Sequence, residues 1–238
     1  MNLRAQVDHL VVVAGSLAQG VAWCEETLGI SPGPGGEHPL MGTHNRLFSV
    51  ANPAYPRTYF EIIAIQPGVT PLRAAGTHRW FDMDDALLQA RVSQHGPQLV
   101  HFVASISGVV SGIKALAAQG LDRGHALEVS RQTANGLLKW RITVRDDGQR
   151  LFYGALPTLI QWGDASEDPS TSAHPLDTMP PSGVTLRSLR VSHPRHEKLL
   201  AGHAAIGLAG VTVTPGAPNI AATLQTPRGP VTLESKGI

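Results

Sequence analysis

Hydrophobic and polar positions along the chain repeat one series of elements three times. Val7-Asp8-His9-Leu10-Val11-Val12-Val13 is a β-branched run that predicts a strand. Ser16 opens a helix, with Gln19 three residues later completing a capping box. Leu17, Val21, Cys24 and Leu28 fall on one face of that helix, and Gly29 ends it. After a Gly/Pro-rich loop over 31–36, two short strands are expected near 38–42 and 45–50. A last strand, Tyr59–Ile65, is stopped by Pro67-Gly68. The unit reads β-α-β-β-β.

The second copy starts with a strand over 99–104. Its helix carries Val109, Ile113, Leu116 and Ala117 on one face and ends at Gly120; strands follow over 126–132, 137–144 and 157–162. The third copy has a strand over 186–191, a helix opened by Pro194 and closed by Gly207, and strands over 211–214, 220–225 and 231–234. Residues 66–96 connect the first two copies, with a short helix over 84–92. The stretch 163–183, rich in Asp, Ser, Thr and Pro, reads as an exposed linker. The expected fold class is α+β, with βαβββ modules in curved, mixed, mostly antiparallel sheets. The expected division is a domain over 1–165 holding two modules (about 5–65 and 97–165), a linker over 166–183, and a degenerate third module over 184–238.

His9 and His101 occupy the same place on the first strand of copies one and two, and Glu61 and Gln161 sit mid-way along the last strands among bulky apolar neighbours. By strict alternation, His9 shares a face with Val7, Val11 and Val13, and His101 with Leu99 and Val103. A buried carboxylate needs a cation, a proton or a hydrogen-bond donor. Two imidazoles, a carboxylate and an amide converging from equivalent strands form an N/O-rich set that suits a divalent first-row metal such as Zn, Fe, Mn, Ni or Co. The alternatives are ordinary hydrogen-bonded strand residues, or four groups that bind a substrate directly. Ser188 and Thr232 stand near the corresponding places of the third copy, which shows no ligand pair.

The segments VDHLVVVAG, GTHNRLFSV, YFEIIAI, LVHFVA and LPTLIQW together resemble the glyoxalase-like family of the vicinal-oxygen-chelate superfamily, over roughly residues 5–165. That resemblance implies paired modules forming an incomplete barrel around a site, with metal ligands on the first and last strands: His9, Glu61, His101 and Gln161. Gln161 departs from the carboxylate some members place there, and an amide is a weaker, neutral ligand. The implied activity is a metal-dependent lyase, isomerase or dioxygenase acting on a small oxygen-rich substrate, with Glu61 as ligand and base. The alternative implied by the same superfamily is a metal-free protein that binds or sequesters a small molecule. His38, His44 and Asn45 are candidates for the mouth of the site, and Phe102 and Trp162 for an apolar wall.

Composition narrows this further. The chain has 238 residues, 42% hydrophobic and 16% charged, which describes a globular protein. Its formal net charge of +1 and scattered Lys and Arg argue against a nucleic-acid partner. One cysteine, Cys24, rules out a disulfide scaffold and reads as core packing. No signal peptide or membrane-spanning run is evident, so a cytoplasmic protein is the expectation. At 5% aromatics, a stacking-based cup is disfavoured. Gly33 to Gly36 lack a phosphate-loop context, and Ser16 and Ser188 lack that of an esterase. An unpaired third module must cover its apolar sheet face, either on the first two modules or in a homodimer.

Overall fold

The computed structural model describes residues 3–133, 136–163 and 172–238. The first repeat is β1 (Ala5–Val13), α1 (Leu17–Leu28), β2 (Glu37–His38), β3 (Thr43–Ser49) and β4 (Tyr59–Ile65). After α2 (Ala86–His95), the second is β5 (Gln98–Ile106), α3 (Val109–Ala118), β6 (His125–Thr133), β7 (Gly136–Val144) and β8 (Thr158–Trp162). The third is β9 (Thr185–Ser192), α4 (His196–Ala205), β10 (Leu208–Ala209), β11 (Val211–Thr214), β12 (Asn219–Thr226) and β13 (Gly229–Glu234).

The first two repeats share one sheet in the order β2-β3-β4-β1-β5-β8-β7-β6, joined back to back at the antiparallel pair β1–β5. The strand β10 lies parallel to Ala5 and Gln6, extending the edge of β1 that β4 covers from His9 onward. The third repeat forms its own sheet, β11-β9-β12-β13. Parallel pairs occur where a helix crosses over, as in β1–β4, β5–β8 and β9–β11; the hairpins are antiparallel. The fold is therefore α+β with a strongly curved mixed sheet.

Both faces of the large sheet are buried along its central strands β4, β1, β5 and β8. An outer core of Leu10, Val12, Cys24, Leu28, Phe60, Ile62, Phe102 and Leu159 lies under α1 and α3. Leu186, Leu189, Val191, Ile220 and Leu224 of the third repeat join the same core, so that repeat covers its apolar face on the first two. Tyr55 fastens the junction: its hydroxyl donates to Gly210 O at 2.8 Å and accepts Leu189 N–H at 3.2 Å. The inner face carries Val11, Val13, Leu47, Ile63, Val103, Trp140 and Trp162, roofed by Trp80, Phe81 and α2.

Helix α1 approaches β4 closely because Gly20 faces it; a Cβ there would overlap Ile62 Cγ2. The buried stripe is thus Gly20, Cys24 and Leu28, with Leu17 and Val21 half-buried at its margin. Ser16 accepts Gln19 N–H, but the Gln19 side chain returns to Gly15 N–H, one residue before the expected capping-box partner. Gly112 performs the corresponding close approach on α3 against Leu159, and Ala117 is exposed. Helix α4 begins at His196, past Pro194.

Two expectations from alternation fail, and for the same reason. The β1–β5 register slips between Val7 and His9, leaving Asp8 as an extra residue, and again where Val100 is extra on β5. Each bulge shifts the strand by one face. Val7 therefore joins the outer core while His9 shares the inner face with Val11 and Val13. Leu99 likewise turns outward and Val103 inward. Of the linker expected to be exposed over 163–183, residue 163 and those from 172 onward are described, and Gly163, Ser172, His174 and Pro175 are buried. His174 is pulled in because it contacts Asp8, described below.

Candidate functional site

The inner face narrows to a small pocket of about 30 Å³ whose polar floor is His9, Glu61, Asn45 and His38. Glu61 comes from β4, where Tyr59, Glu61 and Ile63 face inward. Tyr59 stacks on His9, with ring centroids 4.6 Å apart. His9 Nε2 lies 3.6 Å from Glu61 Oε2. The other carboxylate oxygen accepts Asn45 Nδ2–H at 2.6 Å. Asn45 is itself oriented by Gly36 N–H, which donates to its Oδ1 at 2.8 Å. That contact needs the loop against β3, and a Cβ at Gly35 would collide with Asn45 O.

Behind His9 stands Asp8, which the bulge turns to the same side. Asp8 Oδ1 lies 2.7 Å from His9 Nδ1. Asp8 Oδ2 accepts Trp162 Nε1–H at 2.8 Å and faces His174 Nε2 at 3.3 Å. Burial alone would raise the Asp8 pKa, but hydrogen bonds from His174 and His9 and their charge overcome it, so this carboxyl is held well below the usual range. With Nδ1–H committed to Asp8, a neutral His9 would present a lone pair to Glu61. His38 is neutral: burial, then Arg131, His9 and His44, push its pKa down to about 3. Burial, then Asp8 and Glu61, raise Tyr59 well above the ordinary phenol value, so it keeps its proton.

His101 is buried on β5, opposite Val11 and against Phe81, but both its nitrogens are engaged. Thr158 N–H donates to Nε2 at 3.0 Å, which puts the ring proton on Nδ1, where Gly154 O accepts it at 2.9 Å. The lone pair a metal would require is spent on a backbone amide. Burial, Arg123 and Arg150 press the His101 pKa well down. Gln161 lies on the opposite face of β8 from Trp162; its Oε1 accepts Val109 N–H at 3.0 Å and Arg141 Nη2–H at 2.8 Å. The expected set of His9, Glu61, His101 and Gln161 does not meet around one point. Among the described residues no group of three His, Cys, Asp or Glu side chains is arranged to hold a metal ion. The donor set does not fit the implied divalent metal, because the Asn45 amide already occupies one Glu61 oxygen and, among the described residues, only His9 pairs with the other.

Of the other candidates, His38, Asn45 and Trp162 line the pocket. His44 alternates to the far face of β3 from Asn45, and Phe102 belongs to the outer core beside His203. Residues not anticipated are Asp8, Tyr59, Trp80, Arg131 and His174. Tyr59 was available from alternation with Glu61. Trp80 lines the pocket, 5% exposed, and its indole N–H is buried without a partner. Arg131 borders both the pocket and a cleft of about 1120 Å³ lined by Pro175, Met179, Leu47 and Leu138. It has no carboxylate partner among the described residues, while its charge reaches His38 and Tyr59. None of the described helices is long and apolar enough to cross a membrane.

Among solved structures, the chain is similar to a hypothetical protein from Staphylococcus aureus, 14% identical, covering 90% of this chain and 88% of that one with a TM-score of 0.61. A methylmalonyl-CoA epimerase from Mycobacterium tuberculosis is 14% identical, covering 66% and 85%, with a TM-score of 0.35. A mutant 4-hydroxymandelate synthase from Streptomyces coelicolor is 11% identical, covering 98% and 63%, with a TM-score of 0.46. No curated protein matches. A family model described as a glyoxalase-like domain matches residues 7–207, most of the chain and both repeats that build the pocket. The chain therefore belongs to the glyoxalase-like domain family.

Proposed function

We propose that this protein is an isomerase- or lyase-type enzyme that moves a proton on a small oxygen-rich, anionic substrate. The observation that carries this reading is the His9–Glu61 contact on the pocket floor, backed by Asp8. At 3.6 Å the two groups are too far apart to spend themselves on a good mutual hydrogen bond and close enough to serve one bound atom. Glu61 would take a proton from a carbon beside a carbonyl. His9, fixed through Nδ1 by Asp8, would in its protonated form turn Nε2–H toward the oxygen on which charge develops. Only a head group fits the 30 Å³ pocket, so the rest of the substrate would lie in the adjoining cleft. Arg131 at their junction suits a carboxylate or phosphate on the substrate. The unpartnered Trp80 N–H suits a further substrate oxygen.

The test is solvent-deuterium incorporation into a panel of 2-oxo and 2-hydroxy carboxylates, read by mass spectrometry. Wild type should exchange at least one member, and Glu61→Gln should slow that exchange about 10²–10⁴-fold at unchanged melting temperature. Retained exchange in Glu61→Gln would defeat the assignment. Saturable binding of the panel with no exchange in wild type would favour the metal-free sequestering role instead.

A further inference from the structure

A second cavity of about 950 Å³ opens between α2, the turn Leu151–Gly154 and the residues leading into α4. It shares no lining residue with the His9–Glu61 pocket. From α2, Leu88, Arg91 and His95 face it, because spacings of three and four residues place them on one side of the helix. Opposite them are Phe152 and Tyr153. Both hold a left-handed backbone, φ 54 and 53, which bulky residues rarely adopt and which gathers at ligand clamps. Tyr153 is 52% exposed, an open aromatic surface.

His193 is 4% exposed and lines the cavity. Its Nδ1 accepts Arg195 N–H at 2.9 Å, so the ring proton lies on Nε2, which has no partner among the described residues. Phe152 packs edge-on against that ring at 4.9 Å, and the Arg195 guanidinium lies over Phe152 at 4.8 Å. The acids of the cavity are already engaged. Asp82 accepts Arg150 Nε–H at 3.0 Å, and Asp85 caps α2 by accepting Leu88 N–H. Arg150 also donates to Val100 O and Ile238 O. Arg91 and Arg195 have no carboxylate partner among the described residues, so two guanidinium groups stand beside the aromatic faces, with Asp85 the acid of the lining that no arginine pairs.

We propose that this cavity binds a flat aromatic ligand carrying a carboxylate or phosphate. The ring packs against Tyr153 and Phe152, the anion meets Arg91 and Arg195, and His193 Nε2–H donates one hydrogen bond. The experiment is calorimetric titration of the full chain with phenyl phosphate and with salicylate, alongside benzamide and inorganic phosphate. At least one aromatic anion should bind saturably and at least tenfold more tightly than either control. Arg91→Ala, Arg195→Ala and the exposed Tyr153→Ala should each weaken it several-fold while circular dichroism is unchanged. Glu61→Gln should leave it intact, which separates this site from the inner pocket. No saturable binding, equal binding of inorganic phosphate alone, an affinity unaffected in the double Arg91→Ala, Arg195→Ala variant, or loss in Glu61→Gln would each overturn the proposal.

Discussion

Replacing Asp8 by asparagine tests the centre of the site, because this carboxylate is fully buried and faces three side-chain partners. Asparagine has the same shape but keeps one acceptor oxygen and turns an N–H toward one of His9, Trp162 or His174. Hydrogen bonds to a charged group contribute about 1.5–3 kcal/mol each, and a buried donor left facing another donor adds its desolvation penalty. The terms are not additive, so a total near 3–5 kcal/mol is expected, as for other broken buried pairs. For a chain of this length each kcal/mol shifts Tm by roughly 2–4 °C, which gives about 10 °C. Differential scanning calorimetry at pH 7 reads the shift directly. The sign with pH also follows. The Asp8 pKa is depressed in the folded state, so its contribution is present above the ordinary carboxylate pKa and is lost as pH falls below about 4 toward the folded value. The gap between wild type and Asp8→Asn should persist at pH 5 and narrow below pH 4. A variant melting within 1 °C of wild type at pH 7 would show that Asp8 does not hold this cluster together.

Trp80→Phe removes an indole N–H that is buried without a partner, which offsets part of the packing lost against His38 and Phe81, so a urea titration should show a loss of only about 1–2 kcal/mol while affinity for any exchanged substrate falls. Unchanged affinity in this variant would show that the N–H does not meet the substrate. Cys24 is buried under α1, and burial followed by the charge of Glu25 pushes its thiol up to about 12. It should resist Ellman's reagent in the native protein at pH 8 and react fully in guanidinium; rapid native labelling would contradict the packing of α1.

The strands that carry the site were readable where one signal sufficed. Tyr59–Ile65 matches its expected bounds, since its apolar run ends at Pro67-Gly68, and Glu61 falls between Phe60 and Ile62 on the opposite face. The helices also follow from their apolar spacing, except where a glycine rather than a large residue makes the contact, as Gly20 and Gly112 do. What composition could not reveal are pairings made far along the chain. His174 lies in a stretch of Ser, Pro and Asp whose average is exposed, yet one imidazole in it reaches Asp8 across 166 residues. Gln161 and His101 have the right residue types in matching places, but their lone pairs are taken by Val109 N–H and Thr158 N–H, amides no local pattern points to.

The deepest difference between the two repeats lies in a single position. In both, the residue just before the histidine is the extra one in the β1–β5 ladder: Asp8 before His9, Val100 before His101. Because both sheet faces are buried, β1 and β5 are apolar on each side, and a one-residue slip leaves no trace in their composition. Its chemical outcome depends on what occupies the slip. Asp8 supplies a carboxylate that grips His9 from behind and leaves Nε2 facing Glu61 and the pocket. Val100 supplies only a carbonyl, which accepts from Arg150, and its neighbour His101 is bound at both nitrogens to the backbone of Gly154 and Thr158. The same motif thus leaves an imidazole open to the pocket in the first repeat and one closed by backbone hydrogen bonds in the second. This asymmetry, rather than a symmetrical four-ligand centre, accounts for the single polar floor on the inner face.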